Sequence, residues 1–213
     1  MNLSVHSLYF SYQAAPLLRD LDFSLDTGSF VCVLGKNGAG KSTLFQCILN
    51  LQKNYTGMIS LDGQNVKALK EKELAKSIAY IPQLHKQSFP FSVFDTVLMG
   101  TAASLSPFST PKEAQKEAAM EALHLMGMEK YASRSFSHLS GGEQQMVLIA
   151  RALAQKAPIL IMDEPCSNLD YGNQIRLLKK LKQLSALGYL VLLSTHNPEH
   201  AFLFADKVLV LHN

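Results

Sequence analysis

The segment GKNGAGKST, residues 35–43, places glycines at 35, 38 and 40 and follows them with Lys41 and Ser42. Glycines let a backbone fold so that successive N–H groups turn inward around an anion. The spacing G-x-x-x-x-G-K-[ST] adds an amine that can reach β- and γ-phosphates and a hydroxyl that can ligate Mg²⁺. PILIMDEP, residues 158–165, brings Asp163 and Glu164 to the end of an apolar run. Asp163 can orient Mg²⁺, directly or through water, and Glu164 can polarise an attacking water as general base. Alone, such an acidic pair could equally cap a turn; beside a phosphate loop, the hydrolytic reading prevails. A third stretch, SHLSGGEQQ at 137–145, sets Ser140 before Gly141 and Gly142 at the start of a helical pattern. Free N–H groups and the positive dipole end make it a second candidate anion site.

These residues need strands and helices to hold them. FVCVLG, before the loop, is a continuous apolar run ending in Gly35, as in a strand covered on both faces, and TLFQCIL after it is helical. SVHSLYFSY reads as a first strand. In LRDLDFSLDTG, Leu21, Phe23 and Leu25 alternate with Asp22, Ser24 and Asp26, which predicts one wet face. GMISLDG is a short strand, and SIAYIPQ a strand stopped by Pro82. From about residue 84 helical patterns take over. Ser92 is placed to cap a helix through Thr101 with Val93, Val97, Leu98 and Met99 in apolar positions, and Pro111 lies near the start of a helix reaching Met126. A further helix runs from Gly142 to about Gln155. Strands return in PILIMDE, YLVLLST and KVLVLH, with helices near Gln174–Ala186 and in NPEHAFLFA between them. The expectation is one α/β domain: a core of residues 1–83 and 157–213, interrupted by a helical subdomain at 84–156.

The totals agree with such a domain. The chain has 213 residues, enough for a sizeable core, with 47% hydrophobic and 17% charged residues. A formal net charge of +3 is too small to argue for nucleic acid. Cys32, Cys47 and Cys166 match no metal-ligand spacing, and an odd count argues for reduced thiols. MNLSVHSLYF has no basic region leading into an apolar one, so no signal peptide is expected. No apolar run approaches the ~20 residues of a membrane span.

Taken in order, the motifs resemble the ATP-binding cassette family, the ATPase subunits of membrane transporters, over essentially the whole chain. The resemblance implies a P-loop NTPase core, with a mainly parallel sheet, flanking helices and an antiparallel N-terminal β portion. It implies ATP and Mg²⁺ as cofactors. Tyr12 falls on the adenine-stacking aromatic. Gly35, Asn37, Gly38, Ala39, Gly40, Lys41, Ser42 and Thr43 form the phosphate loop, and Gln83 lies in the glutamine loop as a metal and catalytic residue. LSGGE, 139–143, is the signature, with Ser140, Gly141 and Gly142 on the nucleotide. Asp163 is the Mg²⁺ aspartate and Glu164 the base. Asp170 is the acid of the SNLD loop, 167–170, and His196 is the switch histidine that contacts the γ-phosphate. By the same resemblance, two copies pack head to tail, the signature of one covering ATP held by the other. The implied partners are a second copy, permease subunits and, through the permease, a substrate-binding protein, but no nucleic acid. The implied place is the cytoplasmic face of the membrane, peripherally bound.

PFSVFDTVLMG and NLDYGNQ also look like the importer branch for metal chelates: iron–siderophore, haem, cobalamin or, in some members, molybdate-like oxyanions. Zinc or manganese import is the nearby alternative. Phe89, Pro90 and Phe91 could form a permease-docking surface or pack into the core; the sequence leaves both open. Cys166 stands where the family often has threonine, and the chain stops at VLVLHN where relatives usually continue. A soluble cassette acting on ribosomes or DNA is disfavoured by the single cassette and the lack of a long heptad segment. A one-chain kinase has no use for the second grip of LSGGEQQ.

Overall fold

The computed structural model describes residues 1–12, 15–83, 91–105 and 109–212. The chain runs β1 (Asn2–Phe10), β2 (Leu18–Asp26), β3 (Phe30–Leu34), α1 (Lys41–Ile48), β4 (Thr56–Leu61), β5 (Gln64–Asn65), α2 (Glu71–Ser77) and β6 (Ile78–Ile81). It continues through α3 (Val93–Leu98), α4 (Glu113–Met126), α5 (Gly141–Ala154), β7 (Ile159–Met162), α6 (Tyr171–Ala186), β8 (Leu190–Thr195), α7 (Pro198–Phe204) and β9 (Lys207–Val210).

Two sheets result. The N-terminal one is antiparallel, in the order β2-β1-β4-β5, with Leu3 opposite Leu25 on one side and Leu61 on the other. The second is parallel, in the order β6-β7-β8-β3-β9. Because β3 sits between β8 and β9, strand ends distant in sequence lie side by side. This is the α/β architecture expected from the motifs.

The apolar strands owe their continuity to packing on both faces. Successive side chains point to opposite sides of a sheet. Phe30, Cys32, Leu160, Met162, Val191 and Leu193 join one core with the helices that lie between β6 and β7. Val31, Val33, Ile159, Ile161, Leu190 and Leu192 join the other, with α1 and the antiparallel sheet. In β2, Leu25 is buried and Leu21 and Phe23 are half-buried, while Asp22, Ser24 and Asp26 are exposed, as alternation predicts. All three cysteines are free and buried, and burial raises their thiol pKa values to about 12, 11 and 12 for Cys32, Cys47 and Cys166.

Some boundaries differ from the sequence expectation. Ser92 caps α3 by accepting the Asp95 N–H at 3.0 Å, but the helix tightens into a 3₁₀ segment, Met99–Ser104, and Met99 is 46% exposed rather than apolar core. The tightening occurs where Gly100 backs onto α5: a Cβ added there would run into the Arg151 carbonyl. α6 begins at Tyr171, three residues before the expected start, because Asp170 caps it. α2 and the two-residue β5 carried no periodic signal. Phe89 and Pro90 lie outside the described residues.

Candidate active site

The loop between β3 and α1 is built on contacts that exclude side chains. Gly35 donates its N–H to the Thr195 carbonyl at 3.3 Å, and a Cβ on it would meet the Leu211 carbonyl at 2.7 Å. Gly38 and Gly40 have φ of 83° and 97°, in the left-handed region where a side chain is strained. No side chain caps α1, so its first N–H groups face the loop. Lys41, only 5% exposed, folds over the loop: Nζ donates to the Gly35 and Lys36 carbonyls at 2.8 and 3.1 Å.

The strand end opposite supplies the acids. Asp163 follows β7, is 7% exposed, and anchors its N–H on the Ile81 carbonyl of β6. Its Oδ1 accepts the Ser194 hydroxyl at 2.6 Å, and the same Ser194 Oγ accepts the Glu164 N–H at 2.8 Å. Ser194 thereby fixes both acids from β8. Glu164 has φ 45°, a left-handed conformation that costs a non-glycine residue roughly 1–2 kcal/mol. That backbone turn aims its carboxylate between Lys41 and His196. Oε1 lies 3.3 Å from Lys41 Nζ, and Oε2 lies 3.4 Å from His196 Nδ1.

A cavity of about 420 Å³ gathers Tyr12, Asn37, Gly38, Gly40, Lys41, Ser42, Thr43, Gln83, Asp163 and Glu164. Leu17 also lines it, a residue the sequence reading passed over. Tyr12 is 60% exposed; its ring stands edge-on to Phe10 at 4.8 Å, and its hydroxyl lies 3.3 Å from Thr43 Oγ1. Gln83 reaches across to Ser167 Oγ through Nε2 at 3.4 Å. Gly35 and Ala39 support the loop without lining the cavity: Ala39 is buried and its N–H is spent on the Lys36 carbonyl.

Ser140, Gly142 and Asp170 lie elsewhere. Ser140 and Gly142 line a separate cavity of about 390 Å³ with Asn173, while Gly141 opens α5. Ser140 caps α5 reciprocally with Glu143: its N–H and hydroxyl donate to Glu143 Oε2 at 2.9 and 2.8 Å. The Ser140 backbone N–H, then its hydroxyl, hold the Glu143 carboxyl below the usual carboxylate range. Asp170 caps α6, accepting the Asn173 N–H at 3.0 Å and its side-chain amide at 2.6 Å. Those bonds, the backbone one first, lower its pKa. Within one chain, the two glycine-rich helix starts therefore face different cavities.

Residues 18–167 match the ABC transporter family. The chain belongs to that family. An uncharacterised ABC transporter ATP-binding protein of Haemophilus influenzae is 44% identical over 211 residues, covering 99% of this chain and 80% of the relative. The molybdate import ATP-binding protein MolC of the same organism is 37% identical over 212 residues, covering 99% and 79%. Among solved structures, a metal-chelate type ABC transporter in an inward-facing conformation superposes with a TM-score of 0.87 at 36% identity, over 99% of this chain and 79% of that one. At 38% identity stand a probable iron chelatin transport ATP-binding protein of Helicobacter pylori, covering 99% and 86%, and the manganese transport system protein MntB of Bacillus subtilis, covering 95% and 80%.

This ABC ATPase is thus an ATP-binding and ATP-hydrolysing protein of the ABC transporter family. Among its described residues, no helix is long and apolar enough to cross a membrane. The residues around the phosphate loop suit Mg²⁺. Ser42, Gln83 and Asp163 put a hydroxyl, an amide and a carboxylate into one cavity, all offering oxygen donors. No group of three or more His, Cys, Asp or Glu capable of holding a metal occurs among the described residues. Mg²⁺ takes one or two carboxylates and completes its shell with phosphate and water, and Asp163 offers such a carboxylate in this cavity. Sequence reasoning missed Ser194, Gln174 and His200 in this ATPase. A serine in LLST and a histidine inside a short helix carry no spacing signal; only the fold brings them to the acids.

Proposed function

We propose that this ATPase powers an importer of metal chelates or oxyanions, and that two copies close head to tail around two ATP molecules. The observation that carries the dimer is the separation of the half-sites: Lys41, Glu164 and His196 meet in one place, and Ser140 opens on another cavity of the same chain. A lone copy offers the terminal phosphate only one side of a cage. On closure, Ser140 and the N–H groups of Gly141 and Gly142 of one copy cover the γ-phosphate held by the other, and Asp170 lies at the same face.

In the bound site, Lys41 moves from the loop carbonyls and Glu164 onto the β- and γ-phosphates. Asn37, Gly38, Gly40 and Thr43 cradle them, and Tyr12 stacks on the adenine. Ser42, Asp163 and Gln83 would hold Mg²⁺, which when bound offsets phosphate charge. Glu164 takes a proton from the attacking water, His196 holds the water and the γ-phosphate in line, and the bond between γ-phosphorus and the bridging oxygen breaks to give ADP and phosphate. Loss of the γ-phosphate removes what the second half-site grips, and the copies part. The ATPase would sit peripherally on the cytoplasmic face, bound to its permease, with a substrate-binding protein delivering cargo.

Support for the cargo class comes from the metal-chelate transporter structure and the relatives named for iron chelatin and molybdate transport. The manganese relative at similar identity favours the second reading, manganese or zinc import. The deciding experiment is the full transporter in liposomes, with ATP hydrolysis measured against added cargo-loaded binding protein. Stimulation by a ferric chelate or molybdate supports the proposal, and stimulation by Mn²⁺ or Zn²⁺ alone transfers it to the alternative. The dimer is tested with Glu164→Gln: ATP still binds and dimers accumulate, while turnover falls roughly 10²–10⁴-fold. Rapid turnover by that variant rejects the role of Glu164.

A further inference from the structure

A chain of hydrogen bonds joins the turn that carries His196 to the segment that follows Glu164, and it passes through His200. This histidine lies on α7 and is 4% exposed. Its Nδ1 is 3.1 Å from Thr195 Oγ1, and its Nε2 is 3.1 Å from Gln174 Oε1 on α6. Gln174 in turn donates through Nε2 to the Cys166 and Leu169 carbonyls, at 3.2 and 2.9 Å. Thr195 Oγ1 also accepts the Asn197 N–H at 3.1 Å, closing a tight turn with His196 at its centre.

The direction of every bond follows from this set. Both donors of Gln174 go to carbonyls, so its Oε1 faces His200 and can only accept. His200 Nε2 must therefore carry the proton. In the neutral ring Nδ1 is then an acceptor, and the Thr195 hydroxyl donates to it. That leaves a hydroxyl lone pair for the Asn197 N–H. Burial lowers the His200 pKa, the charge of His196 lowers it further, and Glu199 opposes, so the neutral ring is the form the network requires. A small cavity of about 70 Å³ touches Glu164, His196, Thr195, Gln174 and His200 together, so slack in this chain would open directly behind the base.

We propose that His200 is a positioning residue for ATP hydrolysis, locking the His196 turn through Thr195 and the 166–169 segment through Gln174. It touches no phosphate. Its effect is to keep His196 Nδ1 against Glu164 and to tie that contact to the stretch leading into Asp170. The inference rests on the reading of Glu164 and His196 as hydrolytic groups.

The test uses the full chain and steady-state ATPase kinetics. His200→Leu should lower kcat about tenfold or more while KM for ATP stays within about twofold, because the phosphate cradle is untouched. Gln174→Met, at a half-buried position of α6, should do the same with the ring intact. His200→Asn, whose Oδ1 can replace Nδ1 as the Thr195 acceptor, should recover part of the loss. Added to His196→Ala, His200→Leu should lower the residual rate by less than about twofold, since it acts through His196. The proposal is overturned if folded His200→Leu keeps kcat within about twofold of the parent, or if the full loss recurs in the His196→Ala background. Should His200→Leu fail to fold, Gln174→Met decides by the same two readings. Failure of the underlying reading looks different: Glu164→Gln and His196→Ala would then hydrolyse ATP at the parent rate.

Discussion

Ser194 has no exposed surface, yet its hydroxyl serves both acids, donating to Asp163 and accepting from the Glu164 backbone. Ser194→Ala leaves a buried carboxylate one donor short and a buried N–H unpaired, a loss of about 1–3 kcal/mol of stability. Urea unfolding should show that loss, and kcat should fall with it because Glu164 loses its anchor. His200 gives a pH signature. Its folded pKa lies below 6.5, so above that pH the ring is neutral in both folded and unfolded chains and stability is full. As pH falls through 6.5 the unfolded chain takes the proton first, and stability drops until the folded pKa is passed. Urea midpoints from pH 7.5 to 5.5 should fall for the parent and be flatter for His200→Asn. That Lys41, Ser42, Asp163 and Glu164 share one cavity was legible in the sequence, because local spacing puts them at a glycine-rich turn and a strand end. Ser194 and Gln174 were not: Ser194 reaches Asp163 across 31 residues and Gln174 reaches His200 across 26, and no local pattern encodes those contacts.

At the scale of elements, burial on both faces made β3, β7 and β8 readable as continuous apolar runs. The antiparallel edge β2 was readable for the opposite reason, its alternation. α2 escaped notice because it is seven residues long and buries only Leu74, too little for a helical period to register. The start of α6 was misjudged because Tyr171, Gly172 and Asn173 are weak helix formers, and the Asp170 cap outweighs them. Helix-to-helix fit was equally invisible. The 3₁₀ segment after α3 lies so close to α5 that Gly100 has no room for a methyl group beside Arg151. Gly100→Ala should therefore destabilise by about 1–3 kcal/mol, read as a lowered urea midpoint, and should loosen the packing against the last turn of α5.

For the whole molecule, the two half-sites predict behaviour that no single copy can display. In a Glu164→Gln background, Ser140→Arg should leave ATP binding intact but keep the protein monomeric in sedimentation velocity, since a bulky cation replaces the small cap that in the proposed dimer meets the partner's phosphate. Dimers persisting in that variant would remove the role given to the α5 start. The order of strands in the parallel sheet also bears on how the protein is made. Among the described residues β3, which leads into the phosphate loop, pairs with β8 and β9, and Gly35 rests against Leu211. During translation the phosphate loop emerges well before the strands it rests on, since Phe30 pairs with Val191 and Val31 with Lys207. A nascent chain must therefore keep an apolar, unpaired β3 out of trouble until β8 and β9 have followed it, and it gains a nucleotide pocket only then.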